Sequence, residues 1–272
     1  MEHMIRKRQD LLAHVLRRDQ TWVLTHPDTP LTAAQQRDYD ALIARLDAGE
    51  PLAYLLGEQW FYGRPFTVTR DTLIPRPETE QLITLALERA DSDQFVDVGT
   101  GSGAIAVTIA AEIADARVLA IDISPAALAV ARANATRHRV TERMTFVAGN
   151  LLAPLAAAPD DLDRTAPLTI IANLPYGTTD EWPTLSSSIT HYEPRIAIDG
   201  GPDGLDPYRA FFAQLHELAV GRSAPCTALL EIDPRRRDVL AALVARTLPH
   251  WQASWHRDLA GHWRVLELHT TP

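Results

Sequence analysis

Apolar residues early in the chain recur three and four positions apart. Leu11, Leu12, Val15 and Leu16 lie between charged residues, and Tyr39, Leu42, Ile43 and Leu46 repeat the spacing before Gly49, which predicts amphipathic helices with a stop at that glycine. Thr32 and Gln35 have the spacing of a capping box for the second helix. Two or three short helices are expected in this part. From Leu55 to Thr72 the texture becomes aromatic and β-branched around Gly57 and Gly63-Arg64-Pro65, the pattern of a short hairpin joining two domains. Ile74-Pro75-Arg76-Pro77-Glu78-Thr79-Glu80 then opens a helix, with Pro77 in its first turn and two acids at the positive end of the dipole.

Beyond this point strand and helix patterns alternate. Phe95 to Val98, Val118 to Asp122, Met144 to Ala148 and Leu168 to Ala172 read as strands, with helices over Ala104 to Ala114 and Pro125 to Arg137. That alternation predicts an α/β fold with a parallel sheet covered by helices. Ser124-Pro125, Asp206-Pro207 and Asp233-Pro234 each put a capping side chain before a proline suited to the first helical position. Further strands are expected over Ala228 to Ile232, Gln252 to Trp255 and Val265 to His269, the last two antiparallel because only a short turn near Gly261 joins them. Ala153 to Pro167 reads as a surface loop. The expected division is a small helical domain with its linker hairpin over residues 1–72, followed by one larger domain over residues 73–272.

Two of these strand ends carry chemistry. Asp97-Val98-Gly99-Thr100-Gly101-Ser102-Gly103-Ala104 runs from a strand into a helix. Glycines there let the backbone turn sharply and approach a ligand, while the helix N-terminus offers free N–H groups. Gly99, Gly101 and Ala104 satisfy the loose dinucleotide fingerprint, and Asp122 follows about 20 positions later, suited to a ribose diol. An adenosine-containing ligand fits this pattern; a purely structural glycine turn is the alternative. Asp97 discriminates between ligands, because its charge is unfavourable beside a pyrophosphate and attractive beside the cationic methionine end of S-adenosylmethionine. Asn150 is placed to accept from the adenine amino group and Leu151 to cover the ring.

The second strand end is Ile170-Ile171-Ala172-Asn173-Leu174-Pro175-Tyr176-Gly177. A β-branched apolar run stops at an amide, so the Asn173 side-chain oxygen and a neighbouring main-chain carbonyl can face one incoming NH2 group. Pro175 restricts Leu174 to an extended conformation. Tyr176 offers a flat face to a planar amide or base. A capped strand end is the plainer reading.

Composition narrows the partners. The 272 residues are 46% hydrophobic and 22% charged, with a formal net charge of −9, so the average surface does not favour phosphate backbones over a protein or small-molecule partner. The single cysteine, Cys226, cannot form an internal disulfide and is expected to be a small core residue. No apolar run reaches the ~18 residues of a membrane span, so a cytoplasmic protein without membrane contact is expected. The ten histidines are scattered at spacings unlike a metal site, and no metal is expected. Trp182 is either a substrate cover or a ring packed on its own loop. The basic cluster Arg6, Lys7, Arg8, Arg17 and Arg18 reads as a solvated helix face or as a contact to a large partner.

With these pieces in place the chain resembles the class I S-adenosylmethionine-dependent methyltransferases, and within them the release factor glutamine methyltransferases. The resemblance spans nearly the whole chain. It is carried by Pro51 to Gly57, Leu73 to Glu80, Asp97 to Gly103, Asn173 to Tyr176, Tyr192-Glu193-Pro194-Arg195 and Asp199 to Leu205. It implies a seven-stranded, mostly parallel Rossmann-like sheet, an N-terminal helical domain that grips the release factor, and a target glutamine in a Gly-Gly-Gln loop. It also implies that Asp97, Gly99, Thr100, Gly101, Ser102, Gly103, Asp122, Ile123, Asn150, Leu151 and Asn173 bind S-adenosylmethionine. Asn173, Leu174, Pro175 and Tyr176 are the implied catalytic bend, with Arg76 and Glu193 beside the substrate, and a monomer is expected.

Three departures from the family pattern stand out. Leu174 occupies the position of a usual proline, as in RNA adenine dimethyltransferases, Asn150 replaces a usual acid, and the N-terminal part is short, as if an opening helix were missing. An adenine amino group has the same two donors as a glutamine amide, so the Asn173 bend alone does not separate them. An RNA adenine-N6 methyltransferase is therefore the rival reading; a dinucleotide-dependent oxidoreductase and a non-catalytic adaptor are more distant ones. The acidic charge and the Tyr192 to Leu205 stretch favour glutamine.

Overall fold

The computed structural model describes residues 2–88, 92–157, 163–220 and 222–270. The chain opens with α1 (Glu2–Leu16), α2 (Gln20–Thr25), α3 (Ala33–Asp47) and α4 (Leu52–Leu56), followed by the hairpin β1 (Glu58–Phe61) and β2 (Arg64–Thr67). Then come α5 (Glu80–Glu88), β3 (Gln94–Val98), α6 (Ala104–Glu112), β4 (Arg117–Asp122), α7 (Pro125–Arg137), β5 (Met144–Ala148), α8 (Ala153–Ala157) and β6 (Leu168–Ala172). The chain closes with α9 (Ser187–Thr190), α10 (Asp206–Ala219), β7 (Cys226–Glu231), α11 (Arg237–Thr247), β8 (Gln252–Arg257) and β9 (Trp263–Thr270).

Strands β3 to β9 form one seven-stranded sheet in the order β5-β4-β3-β6-β7-β9-β8. The first five are parallel, whereas β9 runs antiparallel to both β7 and β8. The expected α/β architecture with a seven-stranded, mostly parallel sheet is therefore present. Every residue of β3 and β6 is buried, as a strand covered by helices on both faces must be. Alternate residues feed two cores. Val96, Val98, Ile170 and Ala172 pack with Tyr208, Phe211 and Phe212 of α10, while Phe95, Ile171 and Leu229 pack with α5, α6 and the hairpin residues Phe61 and Phe66.

Several local expectations need correction. Four helices precede the hairpin rather than two or three, because Leu52 to Leu56 coils after Pro51 and stops at Gly57, where φ is +73°. The capping box at Thr32 and Gln35 forms. Ser124 caps α7, accepting from the Ala127 N–H at 3.2 Å. Asp206 does not cap α10: Leu205 precedes the helix, and the Asp206 carboxylate accepts from Arg209 at 2.8 Å. Asp233 caps a short 3-10 turn over Pro234–Arg236, and α11 begins only at Arg237. The Ala153 to Pro167 stretch opens as α8, and residues 158–162 lie outside the described residues. The hairpin is sutured to the layer of helices over the main sheet by Asn134 of α7, whose amide exchanges bonds of 2.8 and 2.9 Å with Thr67 and donates to the Ser102 carbonyl at 2.8 Å.

The order of strands decides where a ligand can sit. Successive parallel strands step one way from β3 to β5, then return to pair β6 on the other side of β3, and a crevice opens at the carboxyl ends of strands at such a reversal. Val98 pairs with Ala172, so the glycine loop and the Asn173 bend leave the sheet side by side. A larger cleft, about 1230 Å³, lies at the opposite end, against the first residues of β3, β4 and β5, where no reversal creates a crevice.

Candidate active site

The glycine loop leaves β3 with Gly99, Gly101 and Gly103 all at positive φ. At Gly103, φ is +78° and an added Cβ would lie 3.0 Å from that of Ala131, so any side chain here would be strained and would crowd α7 where α6 starts. Asp97 lies beneath the loop rather than in the cleft. It is 1% exposed; its Oδ2 accepts from Thr100 Oγ1 at 2.6 Å and from the Ala106 N–H at 3.1 Å. Its Oδ1 has no hydrogen-bond partner among the described residues, and burial pushes the carboxyl up to about 7 against the pull of those bonds. Thr100 and Ser102 are likewise buried. These residues hold the loop, and Gly99 and Gly101 reach the cleft.

At the end of β4 the Asp122 carboxylate accepts from the Gly101 N–H at 2.8 Å and the Ser124 N–H at 2.9 Å. Each oxygen keeps a second lone pair for a hydroxyl donor. A cleft of about 240 Å³ follows, lined by Gly99, Gly101, Asp122, Ile123, Asn150 and Leu151 and closed by Asn173 to Pro175. Ile123 is an exposed lip, 53% accessible. Asn150 is exposed and Leu151 is held at a φ of +53°. An orphaned acidic oxygen below a glycine loop, with an acid and an apolar lip beyond, suits an adenosine ligand carrying a positive charge.

The second cleft, about 350 Å³, is lined by Arg76, Tyr176, Trp182, Asp199 and Arg235 and shares Asn173, Leu174 and Pro175 with the first. Leu174 is 2% exposed, with its side chain in the main core, so its main chain is what faces the clefts. Asn173 Nδ2 donates to Thr79 Oγ1 at 3.1 Å, and Thr79 in turn donates to Glu231 Oε2 at 2.6 Å. The Tyr176 phenol donates to Glu231 Oε1 at 3.2 Å. Burial pushes the Glu231 carboxyl up, while the Thr79 hydroxyl, the Arg264 charge and the Tyr176 hydroxyl pull it down.

The bend is clamped from behind by the Asp199 to Leu205 stretch. Gly177 N donates to the Ile198 carbonyl at 2.9 Å and Gly200 N to the Gly177 carbonyl at 2.7 Å. Gly204, at a φ of +73°, approaches so closely that a Cβ would lie 2.3 Å from the Tyr176 carbonyl oxygen. Glu193 also acts from behind. It is 6% exposed, and its oxygens accept from the Ile74 N–H at 3.1 Å and from Arg76 at 2.5 Å. Arg76 thus reaches the cleft wall and Glu193 holds it there. Trp182 lines the same wall with the Arg195 guanidinium over its ring at 5.4 Å.

Comparison with known proteins adds identity to this geometry. Residues 6–57 match the family model of the PrmC N-terminal domain, and residues 95–189 match a methyltransferase domain model. A release factor glutamine methyltransferase from Nitratidesulfovibrio vulgaris is 43% identical over 207 residues, 75% of this chain and 68% of that protein. One from Bacillus anthracis is 33% identical over 262 residues, covering 94% and 89% respectively. The chain belongs to the release factor glutamine methyltransferase family. A methyltransferase structure from Pyrococcus furiosus has the same fold, with a TM-score of 0.54 at 16% identity, covering 86% of this chain and 100% of that one.

Within this family fold, the residues that sequence reasoning passed over as site residues are Thr79 and Glu231. Thr79 appeared only as part of a helix start, and Glu231 only inside the strand expected over Ala228 to Ile232. The signal available was the acid itself: a carboxylate set between Leu230 and Ile232 in a mostly apolar strand is costly to bury unless polar partners meet it. No helix among the described residues is long and apolar enough to cross a membrane.

Proposed function

We infer that this chain transfers the methyl group of S-adenosylmethionine to the side-chain nitrogen of the glutamine in the Gly-Gly-Gln loop of peptide chain release factors. The observation that carries the reading is the meeting of two clefts at one bend, Asn173-Leu174-Pro175. When bound, S-adenosylmethionine supplies an electrophilic sulfonium methyl. Gly99, Gly101, Asp122, Ile123, Asn150 and Leu151 would hold it, and Asp97 would act on its positive charge from below the loop. An amide nitrogen is a poor nucleophile because its lone pair is delocalised into the carbonyl. Asn173 Oδ1 and the Leu174 carbonyl would accept hydrogen bonds from its two N–H groups, orient the nitrogen, and stabilise positive charge as it develops. As the N–C bond forms the methyl–sulfur bond breaks, S-adenosylhomocysteine leaves, and one N–H proton passes to water. Tyr176 and Trp182 would flank the planar amide, and Arg76 would help form the wall.

Residues 1–72 would then grip the body of the release factor as a recognition domain. Kinship with proteins named for glutamine methylation and the net charge of −9 support glutamine over an RNA adenine. The deciding experiment is labelled methyl transfer to a release factor, to the same factor with its Gly-Gly-Gln glutamine changed to alanine, and to naked ribosomal RNA. Label on the intact factor alone is expected; label on the RNA alone would overturn the reading.

A further inference from the structure

We propose that Glu231, acting through the Thr79 hydroxyl, fixes the direction of the Asn173 amide so that its oxygen, not its nitrogen, is presented to the incoming substrate amide. The same carboxylate holds Tyr176 in place. The inference rests on the methyl-transfer reading above and adds two positioning residues to it.

Leu230 pairs with Ala172, which brings Glu231 beside the end of β6, and the Tyr208 phenol pins the Glu231 carbonyl at 2.6 Å. Thr79 is brought to the same spot by the 3-10 turn over Pro77–Thr79 and is 4% exposed. Its hydroxyl has a single hydrogen. It donates to Glu231 Oε2 at 2.6 Å, and that contact consumes the hydrogen. The Thr79 oxygen then turns lone pairs toward Asn173 at 3.1 Å, and only the Nδ2 end of the amide can meet them. The nitrogen and oxygen of an asparagine amide are nearly the same size, so packing alone does not choose between its two orientations. The reversed one would turn N–H donors toward a substrate group that is itself a donor, losing an acceptor and adding repulsion. Tyr176 completes the arrangement by donating to the other Glu231 oxygen at 3.2 Å.

The test uses the full chain, S-adenosylmethionine and a release factor, with kcat and both KM values measured for Glu231→Gln, Thr79→Val and Thr79→Ser. A glutamine can donate to Thr79 and reverse the chain of hydrogens; valine keeps the volume and removes the hydroxyl; serine keeps the hydroxyl. Glu231→Gln and Thr79→Val are expected to lower kcat about 30-fold or more, with the cofactor Kd from calorimetry within about threefold of wild type. Thr79→Ser is expected to recover most of what Thr79→Val loses. The proposal is overturned if either of the first two variants keeps kcat within about threefold. It is equally overturned if Thr79→Ser is as impaired as Thr79→Val, since volume rather than hydroxyl direction would then be at stake, or if the loss lies in cofactor binding. Should Glu231→Gln not fold, the two Thr79 variants decide. A wild-type chain that methylates no release factor would remove the functional reading itself; an active wild type with unaffected variants would remove only this inference.

Discussion

Replacing Asn173 by alanine is the sharpest perturbation of the bend. The substitution removes Oδ1, one of two acceptors proposed for the substrate nitrogen, and the 3.1 Å bond from Nδ2 to Thr79. A fixed dipole aimed at developing charge is worth about 3 kcal/mol, which at about 1.4 kcal/mol per decade predicts a fall in rate of roughly 10²–10³. The lost neutral hydrogen bond costs about 1 kcal/mol of stability, and Thr79 keeps its bond to Glu231. The cofactor cleft should survive, because the Asn173 atom that faces a Cβ built on Gly99 is its backbone oxygen, at 3.9 Å, which alanine retains. Single-turnover methyl transfer to a release factor measures the chemical step, and calorimetry with S-adenosylhomocysteine measures the cleft. A transfer rate within about fivefold of wild type, in a variant that binds cofactor normally, would refute the acceptor role and reduce Asn173 to a strand cap.

Cofactor affinity should follow the ionisation of Asp97, whose carboxyl burial pushes up to about 7. It is charged above that pH and neutral below, so affinity should weaken about tenfold between pH 8 and pH 6, and Asp97→Asn should flatten the dependence; an unchanged pH profile in that variant would assign the dependence elsewhere. Gly204→Ala places a Cβ 2.3 Å from the Tyr176 carbonyl at a φ of +73°, and should cost about 1–3 kcal/mol in a denaturant titration together with most of the activity. Leu174→Pro should keep kcat within about tenfold, no more than ~1.4 kcal/mol in the barrier, because its side chain lies in the core and only its carbonyl is used; a hundredfold loss with normal cofactor binding would contradict that use.

Local pattern was enough for the strands, for most of the helices, and for the two polar strand ends. The apolar runs at Phe95 to Val98 and Leu168 to Ala172 are buried on both faces, so their hydrophobicity could hardly encode anything else. Asn173 and the glycines announced themselves because each interrupts such a run. The Asp206 cap failed because the helix starts one residue early, at Asp206 itself, and its carboxylate accepts from Arg209 one turn on. Asp97 looked like a ligand contact from its charge and spacing, whereas the loop folds over it and leaves it 1% exposed.

Spatial partnership was beyond the sequence. Thr79, Asn173 and Glu231 are separated by 94 and 152 positions along the chain in the pairings that join them, and neither composition nor spacing links a 3-10 turn to the ends of two strands. The order of strands does so, by bringing β7 beside β6 and laying the α5 segment over both. Residue chemistry could thus be read one position at a time, while the direction in which the Asn173 amide points depends on where a single hydroxyl hydrogen goes. Only the tertiary structure decides that, because the donor and acceptor that fix it meet through packing and not through adjacency in the chain.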